Sequence, residues 1–493
     1  MSEGPGTTPV PDPTAMQDDH SGAEAATPAD GAGVTEQGVD DRSASRTGAT
    51  QSRSAPGPER AAPPPSPEHV VTGLGSAPAA AQAGSAPADS GVDGSTKHDR
   101  RDRTGTAVRA SSRSGRGASS PRGTTAVWNR LTRKADLRAK AGLTRTARVR
   151  AAAIDLAGND YLGLSRHPAV LDAAAAALAE HGLGAGGSRL VRGTTDLHED
   201  FEAAFARHTG TETAVLYSSG YLANLGAVAA LAGPVLLDAH AHASLHDAAR
   251  LAGGRSETFA HNDLDDLERQ LQALRPSIVA VESVYSVLGD AAPLRELHAL
   301  TSAHGALLLV DEAHAIGTVG PHGSGGVAAA GLAGDPGVIV TATLSKALGA
   351  AGGIVAGPAA LRRHLHDTGR TFVYDTAPPP AVIAGAGAAL ALARGADGAR
   401  GELARRAALA ASALGAPVPA AGVLSPAAGD ARAAAAWAER CAAKGVAVGC
   451  FRPPSTPDHR SRLRVTVNTG VPEADFTKAL AVIEATRPDP NSR

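Results

Sequence analysis

The sequence predicts an α/β fold: a mostly parallel central sheet with helices on both faces, followed by a smaller α+β C-terminal domain. Three observations carry that prediction. Helical stretches at 167–181 and 197–208 alternate with short, continuous apolar runs at 277–281, 306–310 and 338–341, and runs of that length suit strands buried on both faces. Two of these runs deliver chemically capable residues, Asp311 and His314 after one, Thr343, Ser345 and Lys346 after the other; ligands of such sheets bind at the carboxyl ends of the strands. After Pro378 the pattern changes to long Ala-rich helices and then strand-like runs at 446–449 and 463–467, which marks a second domain.

Ahead of this alternation, residues 1–123 contain no phenylalanine, tyrosine or tryptophan and show no apolar periodicity. Such a stretch buries too little apolar surface to offset its ordering entropy and is expected to be a disordered, low-complexity extension. The expected organisation is therefore the extension 1–123, an N-terminal arm 124–165, a large domain 166–377 and a small domain 378–493. A formal net charge of −2 over 493 residues gives no reason to expect nucleic acid or an anionic membrane as partner of the folded part. The basic segment 97–122 reads as a solvated tail. Only Cys441 and Cys450 are present, which excludes a disulfide scaffold and a four-cysteine metal site and fits a reducing, cytoplasmic setting. The N-terminus lacks the charged and apolar regions of a secretory signal, and no apolar run reaches the roughly 18 residues of a membrane-spanning helix.

Lysine is scarce, with six in the chain, and Lys346 stands just past a buried run in Thr-Ala-Thr-Leu-Ser-Lys-Ala-Leu-Gly, among small residues that leave room for a bulky ligand. The position suits a solvated loop lysine or, if desolvated, an amine of lowered pKa able to form a Schiff base. Asp311, in Leu-Leu-Leu-Val-Asp-Glu-Ala-His, suits a helix cap or a carboxylate that keeps a pyridine nitrogen protonated. Tyr217-Ser-Ser-Gly220-Tyr221-Leu-Ala-Asn224 precedes an apolar helical pattern and can be an ordinary helix start or a backbone phosphate site. His242 in Asp-Ala-His-Ala-His-Ala-Ser-Leu can stack on a ring, or with His240 suggest a metal, but no carboxylate or cysteine of suitable spacing completes a metal site. No metal is expected.

Taken in this order, these elements resemble the α-oxoamine synthases, a family of pyridoxal 5′-phosphate (PLP)-dependent enzymes of fold type I, the aspartate-aminotransferase-like fold. The resemblance covers residues 133–485. It rests on Gly158-Asn-Asp-Tyr-Leu-Gly-Leu164, Gly186-Gly-Ser-Arg-Leu190, Ser219-Gly-Tyr-Leu-Ala-Asn224, Asp311-Glu-Ala-His314, Thr343-Leu-Ser-Lys346 and Cys450-Phe-Arg-Pro-Pro454. It implies Lys346 as the Schiff-base lysine, Asp311 on the pyridinium nitrogen and His242 stacked on the ring, these three being the catalytic residues. Gly220 and Tyr221 are implied to hold the phosphate through backbone, with Thr343 adding its hydroxyl and Ser286 and His314 flanking the ring hydroxyl. Thr376 is implied to reach the phosphate of a neighbouring subunit in a homodimer. Arg452 is implied to hold the amino-acid carboxylate, with Ser455, Asn159 and Arg145 close to substrate.

The activity implied is the decarboxylative condensation of an amino acid with an acyl thioester. Within the family the likeness is greatest to the members that use L-alanine and pimeloyl-CoA or its carrier-protein equivalent. Glycine C-acetyltransferase (2-amino-3-oxobutyrate CoA ligase), 5-aminolevulinate synthase, serine palmitoyltransferase and a catalytically silent partner subunit are the competing readings. The chain departs from the family pattern where Ser286-Val-Leu-Gly-Asp290 puts Leu288 at a usually acidic position, and where Ser455 stands for the family's threonine.

Overall fold

The computed structural model describes residues 122–147, 149 and 153–488. These all belong to one compact unit, Ser111–Arg493. Of the predicted extension, all but Arg122 and Gly123 lie outside the described residues.

Eleven strands form two sheets among the described residues. In chain order they are β1 (Ile154–Leu156), β2 (Thr213–Tyr217), β3 (Val235–Asp238), β4 (Ser256–Phe259), β5 (Ile278–Glu282), β6 (Leu307–Asp311), β7 (Val338–Thr343), β8 (Gly353–Gly357), β9 (Val423–Leu424), β10 (Val446–Phe451) and β11 (Arg462–Thr466). The large sheet has seven strands in the order β2-β8-β7-β6-β5-β3-β4. Only β8 runs against its neighbours; the pairings from β7 through β6, β5 and β3 to β4 are all parallel.

The apolar runs behave as their continuity predicts. On β6, Leu308 and Val310 join one core cluster while Leu309 joins the other. On β7, Val338 and Val340 face the first core and Ile339 the second. One core is closed by Phe201 and Phe205 of the helix Asp196–Thr209 and by Ile383 and Ala386 of the helix Pro380–Arg394. The other is closed by Ala223 and Val228 of the helix Gly220–Leu231 and by Leu245 and Ala248 of the helix Ala243–Leu251. Successive side chains of a strand point to opposite faces, so a sheet covered on both sides requires an unbroken apolar run.

The small sheet has four strands in the order β1-β10-β11-β9. Its first strand comes from the N-terminal arm and pairs in parallel with β10, Ile154 against Val446, so the two ends of the fold are joined by main-chain hydrogen bonds. Trp437 and Phe476, both fully buried, come from the helices Ala431–Ala443 and Glu473–Ala485, and the indole Nε1 of Trp437 donates to the carbonyl of Ile483 at 3.0 Å. No helix among the described residues is long and apolar enough to cross a membrane.

Parallel pairing puts the carboxyl ends of β3, β5, β6 and β7 at one edge of the large sheet. Register then aligns Glu282 with Asp311, and Asp311 with Thr341. Because this edge rests on β6, its packing is testable: Leu309→Ala, at a position with no exposure, is expected to cost about 2–5 kcal/mol in denaturant unfolding. A loss below about 1 kcal/mol would show that the site collapses around the smaller residue.

Candidate active site

A cavity of about 320 Å³ opens at this edge, and Gly220, His242, Glu282, Asp311, Thr343 and Lys346 are among the residues that line it. Each arrives for a local reason. Lys346 follows β7 by three residues, where Leu344 and Ala347 on either side are buried. Burial pushes its amine down to about 8, against the opposing pull of Asp311 and Glu282. A lysine in that range supplies free amine near neutral pH, which a solvated loop lysine does not.

Asp311 ends β6 and is 5 % exposed. Its Oδ1 accepts from the backbone N–H of Ala313 at 2.9 Å and its Oδ2 from Asn224 Nδ2 at 2.7 Å, so the carboxylate is held from two sides. Glu282 ends β5 and is 2 % exposed. Burial, and then the neighbouring Asp311, hold its carboxyl well above the usual range. Its Oε2 accepts from Ser286 N at 3.0 Å and its Oε1 from Ser286 Oγ at 3.3 Å.

The helix Gly220–Leu231 begins at the cavity. Ser219 caps it, its Oγ accepting from Leu222 N at 3.2 Å. The N–H groups of Gly220 and Tyr221 have no intrahelical partner, as in the first turn of any helix, and suit an anion. Glycine at 220 is a packing requirement, since a Cβ there would come 2.8 Å from Cβ of Thr343. Thr343 in turn pairs its Oγ1 with Ser345 Oγ at 2.7 Å and donates to the carbonyl of Gly352 at 3.0 Å.

His242 caps the helix Ala243–Leu251: its Nδ1 accepts from the backbone N–H of Ser244 at 3.2 Å and lies 2.7 Å from Ser244 Oγ. An Nδ1 that accepts leaves the ring proton on Nε2, and burial lowers the imidazole pKa in the same sense. The strand before it is held by a clamp. His261 binds Asp238 through Nδ1 and Asp290 through Nε2, each at 2.8 Å, so the carboxyl end of β3 is tied to the turn after β5.

That turn contains Leu288, half-buried, and Gly289, whose φ is +79°. A Cβ at 289 would meet the carbonyl oxygen of Val423 at 2.0 Å. Leu288 thus occupies a turn whose shape is set by its glycine neighbour and by Asp290.

Of the remaining predicted residues, Tyr221 also lines the cavity, whereas His314, Ser286, Asn159, Arg145, Arg452, Ser455 and Thr376 do not. His314 is buried with Nδ1 2.6 Å from the hydroxyl of Tyr161, and burial drives its pKa well down. Ser286 and Asn159 are joined through Arg464, whose Nε donates to the Ser286 carbonyl at 2.9 Å and whose NH1 donates to Asn159 Oδ1 at 3.1 Å. Arg452 donates to the carbonyls of Gly142 and Thr144, and Arg145 NH2 donates to Ser455 Oγ at 2.7 Å. The predicted substrate residues Arg145, Arg452 and Ser455 therefore meet where the arm crosses the loop after β10. Thr376 is exposed and forms a β-bridge with Ser188; Tyr221 donates its hydroxyl to Asp247 at 2.6 Å.

Sequence alone gives no role to Asn224, Glu282 or Arg464. Asn224 lies within the Ser219-Gly-Tyr-Leu-Ala-Asn224 motif, the acidic end of the apolar run at 277–281 is the available signal for Glu282, and Arg464 lies inside a strand and carries none.

The site combines a backbone anion cradle, a lysine of lowered pKa and a buried carboxylate around one cavity, and PLP fits all three at once. The class I and II aminotransferase family model matches residues 151–483, and the chain belongs to that family, in its α-oxoamine synthase branch. It is PLP-dependent. It is 48 % identical over 351 residues to the 8-amino-7-oxononanoate synthase of Mycolicibacterium smegmatis, covering 69 % of this chain and 92 % of that one. It is 47 % identical over 355 residues to the enzyme of the same name from Mycobacterium avium, at 70 % and 93 % coverage. Among solved structures it is similar to serine palmitoyltransferase of Sphingomonas wittichii, with TM-score 0.67, 30 % identity, and 73 % and 96 % of the two chains covered. The fold is shared with 8-amino-7-oxononanoate synthase of Francisella tularensis, at TM-score 0.59 and 24 % identity over 68 % of this chain and 97 % of that one.

The His261 clamp yields a pH prediction. Burial opposes the charged ring, but hydrogen bonds to Asp238 and Asp290 raise its pKa from 6.5 to about 9. A raised folded-state pKa contributes stability that is fully present below 6.5 and is lost as pH rises through about 9. The thermal midpoint is expected to fall across that window and to fall less in His261→Gln; equal slopes in the two proteins would contradict the clamp.

Proposed function

We propose that the chain condenses L-alanine with pimeloyl-CoA, or pimeloyl carrier protein, to give 8-amino-7-oxononanoate, CO₂ and the free thiol, the reaction that serves biotin biosynthesis. The observation that carries this reading is the likeness to the mycobacterial 8-amino-7-oxononanoate synthases along nearly their whole length. The cofactor supplies the electron sink that lets a carbanion form at the amino-acid α-carbon.

The chain's own residues hold and aim that chemistry. The N–H groups of Gly220 and Tyr221 hold the phosphate, with the hydroxyl of Thr343 beside them. Asp311 would keep the ring nitrogen protonated and His242 would lie against the ring. Lys346 would hold the cofactor, and its amine would take the substrate α-proton and return one. A pKa near 8 lets it perform both transfers close to neutral pH. Arg452 would receive the substrate carboxylate and so orient the amino acid, with Ser455, Asn159 and Arg145 around the substrate and Ser286 and His314 toward the cofactor's hydroxyl. Arg452 is bound to the arm through Gly142 and Thr144, so its role requires it to turn or to share its remaining N–H groups. A cytoplasmic homodimer, with Thr376 reaching the neighbour's phosphate, completes the reading; the exposed side chains of Leu183, Val191 and Tyr374 support a second copy as their cover. The domain division is an arm 124–165, a cofactor-binding domain 166–377 and a small domain 378–493.

The test is product formation by the purified protein loaded with PLP, offered pimeloyl-CoA with L-alanine, glycine or L-serine in turn. L-alanine is expected to give the amino ketone of matching mass and one CO₂ per thiol released, and Lys346→Ala is expected to lose at least about 10²–10⁴-fold in rate. Turnover with glycine or L-serine in place of L-alanine would move the assignment to another α-oxoamine synthase.

A further inference from the structure

We propose that Asn224 is a positioning residue that ties Asp311 and His242 into one rigid unit, so that the ring nitrogen and the ring face are held by a single buried amide. The inference rests on the PLP reading of this cavity and adds a residue to it. Asn224 lies one turn into the helix whose first residues form the anion cradle. It is 3 % exposed and lines the same cavity.

Its side chain makes three contacts, and chemistry orients each of them. Nδ2 donates to Asp311 Oδ2 at 2.7 Å and to Ser244 Oγ at 2.8 Å, which uses both amide hydrogens. Oδ1 accepts from the hydroxyl of Thr341. The opposite amide orientation would set two acceptor oxygens against each other at Asp311, so the direction of the group is determined by its partners.

Direction then propagates. Ser244, with no exposure, accepts from Asn224 and lies 2.7 Å from Nδ1 of His242, so its own hydrogen points at that nitrogen. The imidazole is thereby held neutral with its proton on Nε2. On the other side, Thr341 is the register partner of Asp311 across β6 and β7. The amide therefore braces Asp311 between the neighbouring strand and the helix, and the same atom that aims Asp311 sets the tautomer of His242. A residue that merely filled space would need neither the two donors nor their geometry.

Asn224→Asp and Ser244→Ala separate the two arms. Asn224→Asp sets an acceptor against Asp311, forcing the pair to share a proton and releasing Asp311 from the ring nitrogen; Ser244→Ala leaves that contact intact and removes only the hydroxyl that faces His242. For the PLP-loaded protein, Asn224→Asp is expected to move the pH midpoint of the bound cofactor's visible absorbance by about one unit or more and to lower kcat by about 10²-fold with KM within about threefold. Ser244→Ala is expected to leave the spectral midpoint in place and to lower kcat about tenfold. An Asn224→Asp protein that binds PLP with an unmoved midpoint and a kcat within about twofold of the parent would overturn the proposal. Should Asn224→Asp not fold, Ser244→Ala decides, since an unchanged kcat there removes the His242 arm. A parent protein that shows no lysine-bound cofactor at all sinks the PLP reading itself, whereas a normal parent with unaltered variants sinks only the role of Asn224.

Discussion

The site depends on the register of three buried strands. Pairing of β5 with β6 and of β6 with β7 sets Glu282, Asp311 and Thr341 in a row where the sheet ends, and Asn224 is bound to two members of that row, Asp311 and Thr341. Neighbouring strands lie about 5 Å apart, so two ionised carboxylates in adjacent register would repel by about 3 kcal/mol at an effective dielectric near 20. Burial first, and then the neighbouring Asp311, hold the Glu282 carboxyl well above its usual range, so Glu282 keeps its proton near neutral pH. A slip of one residue would turn every member of the row to the opposite face. The apolar runs that insulate both faces of the sheet are what forbid it.

From that row the electrostatics of the cavity follow. Lys346 is desolvated beside two carboxyl groups, and burial outweighs their attraction enough to lower its pKa. His242 and His314 lose their charged forms to the same burial. The cavity therefore holds the neutral imidazole of His242 and an amine near its titration point beside buried Asp311. That convergence of displaced pKa values on one cleft is what general acid–base chemistry requires.

Much of this was legible before any coordinates. Lys346, Asp311 and His242 stood out because each followed a buried run or a short polar break, and strand ends in parallel sheets are where ligands bind. The long apolar strands could be read for the same reason. β4 could not: Ser256, Glu257 and Thr258 are exposed on it, so it is an edge strand without an apolar pattern. Asn224 is hidden because its role arises from three partners far apart in the chain, and Arg464 because in the alternation Arg462-Leu463-Arg464-Val465-Thr466 it takes a position that reads as a solvent face, although it is buried. The binding of Arg452 to Gly142 and Thr144 has no sequence signal, since an irregular arm does not show what it crosses.

The central claim is that Lys346 carries PLP at the end of β7, aimed by the row beside it. Borohydride reduction of the PLP-loaded protein, followed by proteolysis and mass spectrometry, makes the link between cofactor and lysine permanent and reports its position. The account predicts one phosphopyridoxyl group per chain, on Lys346 and on none of the other lysines. Label on a different lysine, or stable cofactor binding with no label at all, would contradict it.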